Sequence, residues 1–234
     1  MTTEHISKQY DQDLEDLRSG MLRMGGLVES QIRDAVESFS TGSGEVIARV
    51  MEREGQVDVF ELDLDRGCSA IIVMRQPAAS DLRLIMAISK TVTDLERMGD
   101  EAEKIARMSA DIHQRNITQP QALANVRHAA DIAVHMLRGA LDAFARLDPA
   151  QAQAIIREDL AIDAEFDSIV RQLITFMMED PRTISMALDI VWIAKAVERI
   201  GDHAKNIAEN VIYIVEGTDV RHIRRRPDAP AGEA

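Results

Sequence analysis

Glutamate and aspartate stand four residues apart in the run Leu95-Glu96-Arg97-Met98-Gly99-Asp100-Glu101-Ala102. On a helix this spacing puts both carboxylates on one face, about one turn from each other, where like charges repel. Opposed carboxylates of this kind are what a hard cation takes as ligands. One such pair means little, because 40 acids in 234 residues supply roughly seven pairs at that spacing by chance. The weight comes from recurrence: 102 positions later the chain reads Val197-Glu198-Arg199-Ile200-Gly201-Asp202-His203-Ala204. Glu96, Asp100, Glu198 and Asp202 are therefore the leading candidate metal ligands.

Hard cations want six or more oxygens, so one helix is insufficient and a second must contribute. Glu54 with Asp58, and Asp159 with Asp163, offer acids one turn apart in each half. Each half thus holds four candidate carboxylates. The competing reading is a set of solvated faces with Arg97 and Arg199 in ordinary ion pairs. Gly99 and Gly201 recur inside the repeated run, where Gly costs a helix roughly 1 kcal/mol relative to Ala. Two readings stand side by side: close approach of a neighbouring helix at a position with no Cβ, or admission of a ligand or ion. The halves are not identical, since Glu103 becomes Lys205 and Glu54 becomes Asp159.

Other chemistries lack their residues. A di-metal oxidase built on a helical bundle uses Glu-x-x-His, and none of the six histidines has Glu three residues before it. There is no Gly-rich phosphate loop ending in Lys and Ser or Thr, and no pattern for a Ser or Cys triad. Met21, Met24, Met177 and Met178, in a chain with 12 methionines, carry two readings, adaptable binding surface and, more cheaply, core filling.

The elements that must carry these acids are long helices. Hydrophobic residues make up 46% of the chain but aromatics only 3%, which favours helices packed through Ala, Leu, Ile, Val and Met. Periodicity and breaks place six helices: about Ile6 to Phe39, Glu45 to Met74, Ser80 to His113 with Ser80-Asp81 as N-cap, Gln121 to Leu147, Pro149 to Glu179 after an Asp148 cap, and Thr183 to Val215. Val57-Asp58 matches Ile162-Asp163 and Pro77 matches Pro181, so the whole three-helix unit is duplicated. The expected fold is all-α, with two tandem three-helix bundles over 5–115 and 120–217. The polar end, 218–234, with Arg224-Arg225-Arg226, reads as a disordered tail.

The formal net charge of -13 repels phosphate backbones and argues against nucleic-acid binding. Cys68 stands alone among apolar residues and reads as a small core residue. With no leader-like N-terminus and no apolar run near 18 residues, a cytoplasmic location is expected.

The repeated Glu-Arg-(Met/Ile)-Gly-Asp-x-Ala in tandem three-helix units resembles the PhoU family of phosphate-uptake regulators, over roughly residues 5 to 217. The resemblance implies metal ions at the acidic motifs: Glu96, Asp100, Glu198 and Asp202, supported by Glu54, Asp58, Asp159 and Asp163. Mg, Mn, Fe or Zn would suit such sites depending on geometry and supply. It further implies a homodimer and a negative regulator of the Pho regulon, not an enzyme. The implied partners are the sensor histidine kinase PhoR and the ATPase subunit PstB of the phosphate ABC transporter, so the chain would meet membranes only through their complexes. A metal-binding helical adaptor is the alternative, and a di-metal oxidase a more distant one.

Overall fold

A computed structural model describes residues 8–115, 120–218 and 220. Six helices follow in chain order: α1 (Lys8–Thr41), α2 (Gly44–Arg75), α3 (Ala79–Gln114), α4 (Pro120–Arg146), α5 (Pro149–Glu179) and α6 (Ile184–Glu216), the last entered through a 3-10 turn at Pro181–Thr183. The expected start of the first helix at Ile6, the expected break over 116–119 and most of the expected tail lie outside the described residues.

Local chemistry accounts for the boundaries. In α1, Leu14, Leu17, Met21, Met24, Val28, Ile32, Ala35 and Phe39 are buried at steps of three and four, which makes one continuous apolar stripe. Gly42 takes φ 66° to turn the chain, and the Ser43 hydroxyl accepts from the Val46 N–H to cap α2. Asp148 caps α5 as expected, accepting from the N–H groups of Ala150 and Gln151, with Pro149 in the first turn. The Ser80-Asp81 cap is corrected: α3 begins at Ala79 after Ala78, which makes no side-chain cap. Asp81 instead accepts a hydrogen bond from the Tyr10 hydroxyl at 3.1 Å, which ties the start of α1 to the start of α3.

Helices α1, α2 and α3 pack on one another, and so do α4, α5 and α6. The two bundles then join through α3 against α6 and α1 against α4, and their buried side chains form one hydrophobic core. Arg83 lies beside Gly217, Glu101 bonds Arg199, and Arg115 bonds Asp189, so α3 and α6 run antiparallel. Helices α2 and α5 lie outside this central group of four, each touching only its own bundle among the described residues.

That outer position gives α2 and α5 a single buried seam. In α2 it reads Val50, Glu54, Val57, Leu64, Cys68 and Ile71, with half-buried Glu61 at the remaining place. In α5 it reads Ala152, Ile155, Asp159, Ile162, Ile169 and Leu173, with Phe166 at the corresponding place. Alternating steps of three and four keep such a seam facing its partner helices. Acids therefore sit at positions where the pattern calls for apolar side chains.

Candidate carboxylate site

The seam carries Glu54 inward, where it is only 8% exposed, against Gln31 of α1 and the backbone of α3. The Gln31 amide donates to the Glu54 carboxylate and, more weakly, to the carbonyl of Gly99 at 3.4 Å. A Cβ at Gly99 would stand 2.9 Å from Glu54 Oε2 and 3.2 Å from Gln31 Oε1. The glycine thus makes room for this buried polar pair, and Gln31 Oε1 is left without a hydrogen-bond partner.

Around Glu54 lies an acidic furrow between α2 and α3. Burial pushes its carboxyl up to about 7; the Gln31 hydrogen bond opposes this, and Asp100, Asp58 and Glu103 add to it. Glu96 is raised by burial, then by Asp100 and Glu61, with Arg97 working the other way. Glu61 is raised by burial, then by Asp65, Asp58 and Asp100. Carboxylates that raise one another across two helices face a common space. Glu54, Asp58, Glu96 and Asp100 thus lie along one furrow within reach of one another's fields, Asp58 and Asp100 exposed, without closing into a single ligand cluster among the described residues.

The second copy lies between α5 and α6 and differs in charge. Asp159, 4% exposed, is ion-paired with Lys205, and Glu198 with Lys195 at 2.6 Å. Asp202 and Asp163 are raised by burial and by neighbouring acids, with Lys205 opposing in both and Lys195 also in Asp163. Burial works against the charge of Lys205, yet its bond to Asp159 and the fields of Asp159, Glu209 and Asp202 hold its ammonium above the ordinary value. Here the glycine admits an apolar neighbour, since a Cβ at Gly201 would stand 2.8 Å from Ile162 Cδ1. At both glycines a side chain of a neighbouring helix takes the space a Cβ would fill, polar at Gly99 and apolar at Gly201.

A third feature spans the bundles. A polar cleft of about 930 Å³ opens between α3 and α6, lined in part by Asp94, Asp100, Glu101, Arg199, Asp202 and His203. Asp94, 8% exposed, lies 2.9 Å from His203 Nδ1 and accepts from Asn206 at 3.0 Å. Arg199 pairs with Glu101 at 2.8 Å, the ordinary ion pair considered for it, while Arg97 is exposed.

Among the described residues, no three Asp, Glu, His or Cys side chains converge into a ready set of metal ligands. The fit to a cation is therefore one of donor chemistry. In the first furrow the donors are all oxygen and, among the described residues, the buried Glu54 carboxylate has no paired cation and Gln31 Oε1 no partner, so the donor set suits a divalent ion. In the second, lysines already stand against the acids, and the fit is poor.

The PhoU domain model matches residues 21–109 and 126–211, once in each bundle. A phosphate-specific transport system accessory protein PhoU homolog of Pseudomonas aeruginosa is 48% identical, over 94% of this chain and 91% of its own length. The phosphate-specific transport system accessory protein PhoU of Escherichia coli is 43% identical, over 94% of this chain and 90% of its own. A crystal structure of PhoU from Pseudomonas aeruginosa superposes with TM-score 0.86 at 46% identity, covering 89% of this chain and all of that one. PhoU from Streptococcus pneumoniae, at 23% identity and TM-score 0.83, shares the fold. The chain belongs to the PhoU family, as its duplicated motif implied.

The duplication locates what the motif alone missed. Counting from the matched starts at 21 and 126, Gln31 corresponds to Met136 of α4, also fully buried. On the same count Glu61 corresponds to Phe166; on the 102-residue spacing of the repeated run, Thr93 corresponds to Lys195. A polar residue breaking the apolar stripe of α1 was the available signal for Gln31.

Proposed function

We propose that this chain is an accessory regulator of phosphate transport that restrains the phosphate-starvation response when phosphate is plentiful. The observation that carries it is the match of both bundles, nearly end to end, to accessory proteins of the phosphate-specific transport system. In this reading it works by contact with the transporter ATPase, PstB, and the sensor kinase, PhoR, on the cytoplasmic side, as a homodimer and without catalysis. It would bind one state of a partner better than another, because only differential affinity moves an equilibrium. No helix among the described residues is long and apolar enough to cross a membrane.

Exposed apolar side chains support contact as the mode of action. Val73, Met74, Leu82 and Met86 lie where α2 turns into α3, and Ile174, Met178, Ile184 and Leu188 where α5 turns into α6. Val73 is 77% and Met178 81% exposed, so Met178 is a surface residue, unlike Met21 and Met24, which fill the core as read from the sequence. A divalent cation held by Glu54, Asp58, Glu96 and Asp100 would supply the missing positive charge and clamp α2 to α3.

Alkaline phosphatase activity in phosphate-replete cells tests the regulatory reading. Deletion of the gene is expected to raise it, and a plasmid copy to restore the low level. Unchanged activity would end the regulatory role and leave a metal-binding adaptor.

A further inference from the structure

We infer that the two copies of the acidic furrow are neutralised differently: the copy between α2 and α3 takes a divalent cation from solution, whereas the copy between α5 and α6 carries its own cations, Lys195 and Lys205, and takes none. The first half of this statement rests on the metal reading above; the second stands on the lysines.

Position by position, the copies diverge in one direction. The first aligns Glu54, Asp58, Glu61, Glu96, Asp100 and Glu103; the second has Asp159, Asp163, Phe166, Glu198, Asp202 and Lys205 in those places, and Lys195 where the first has Thr93. Two ammonium groups therefore enter a site that also loses two carboxylates. Both are built in. Lys195 Nζ stands 2.6 Å from Glu198 and 5.3 Å from the centre of the Phe166 ring, so the residue replacing Glu61 also supports the cation. Lys205 pairs with Asp159, the acid at the buried seam position. A metal on Glu198 or Asp159 would sit against a like charge and would have to displace it. Asp159 Oδ1 and Glu198 Oε2 are buried without a hydrogen bond, but the charge of each carboxylate is met by a lysine, Lys205 at Asp159 Oδ2 and Lys195 at Glu198.

Among the described residues, no lysine or arginine is paired with Glu54, Asp58, Glu96 or Asp100 of the first copy; Arg107 pairs with Glu103 from a 67% exposed position, and Arg97 is exposed. The one donor to Glu54 among the described residues is the neutral Gln31 amide, and Gln31, fully buried, keeps Oε1 unpaired beside it. Buried carboxylates without a partner charge are costly, and a divalent ion is the occupant that removes that cost.

The experiment is Mn²⁺ titration calorimetry on the full chain after chelation, with thermal melting as a second readout. One equivalent is expected for the wild type. Asp58→Asn with Asp100→Asn should lose it, together with the rise in melting temperature on adding Mn²⁺. Asp163→Asn with Asp202→Asn should keep both. Lys195→Thr with Lys205→Glu removes both ammonium groups and restores the carboxylate of the Glu103 position, leaving Phe166 in the place of Glu61, and should melt lower in chelator and bind one further equivalent. Two equivalents in the wild type, or loss of Mn²⁺ from Asp163→Asn with Asp202→Asn, would overturn the lysine assignment. So would a lysine variant that keeps its helical circular dichroism yet gains no ion. If that variant does not fold, the two Asn pairs decide alone. A wild type that binds no Mn²⁺, with a lysine variant that binds one, would end the metal reading and leave the lysine assignment standing.

Discussion

Glu54 occupies a place in an α2 seam whose fully buried side chains are otherwise apolar, and its carboxyl is pushed up to about 7 chiefly by burial. Below its ordinary value of 4.5 the group is protonated in both folded and unfolded chains, so it imposes no penalty there. Between that value and about 7 the folded chain keeps a proton the unfolded chain has lost, and stability falls as pH rises; above about 7 the loss is complete. In chelator, Glu54→Gln is expected to gain on the wild type as pH rises through this window. Melting temperatures from about pH 5 to about pH 8 check it, and a constant gap would mean that another group titrates. Glu54, Asp58, Glu96 and Asp100 were legible from spacing because a helix brings residues four apart to one face. Gln31 and Glu61 were not, since their place in the furrow depends on how α1, α2 and α3 are rotated against one another, which spacing within one helix does not set. Lys195 escaped for a similar reason: the repeated run begins after it.

Between elements, the two repeated glycines are approach points whose neighbours differ. Gly201 meets Ile162 of α5, and a Cβ would lie 2.8 Å from Cδ1 and 3.0 Å from Cγ2. Alanine gains roughly 1 kcal/mol of helix propensity, but overpacking against a β-branched side chain costs about 1–3 kcal/mol. Gly201→Ala is therefore expected to lose about 1 kcal/mol, read as a lower urea midpoint with unchanged slope. A higher midpoint would show that α5 yields at Ile162. Helix number and most boundaries could be read from punctuation: Gly42, Asp148-Pro149 and Gly217 all act where local chemistry alone specifies a turn or cap. The start of α3 could not, because Asp81 is drawn away from capping by Tyr10, a contact 71 residues distant in sequence.

Across the whole molecule, the bundles share one core and are pinned by polar links such as Asp94 with His203 and Asn206. Removing Asp94 leaves those groups without their partner, at a cost of about 1–3 kcal/mol. Asp94→Ala should lower the melting temperature while calorimetry still shows one transition; two transitions would mean that the bundles unfold independently. The antiparallel run of α3 and α6 has a separate effect on geometry. It sends the turn after α2 and the turn after α5 to opposite ends of the molecule, each with its exposed Met. A helix of 36 residues measures roughly 54 Å, so these ends are held apart by a hydrogen-bonded rod rather than a tether. The chain is therefore a ruler: two bodies engaged at once are set at a distance dictated by helix length, and a deletion of one turn in both α3 and α6 would bring them closer by about 5.4 Å.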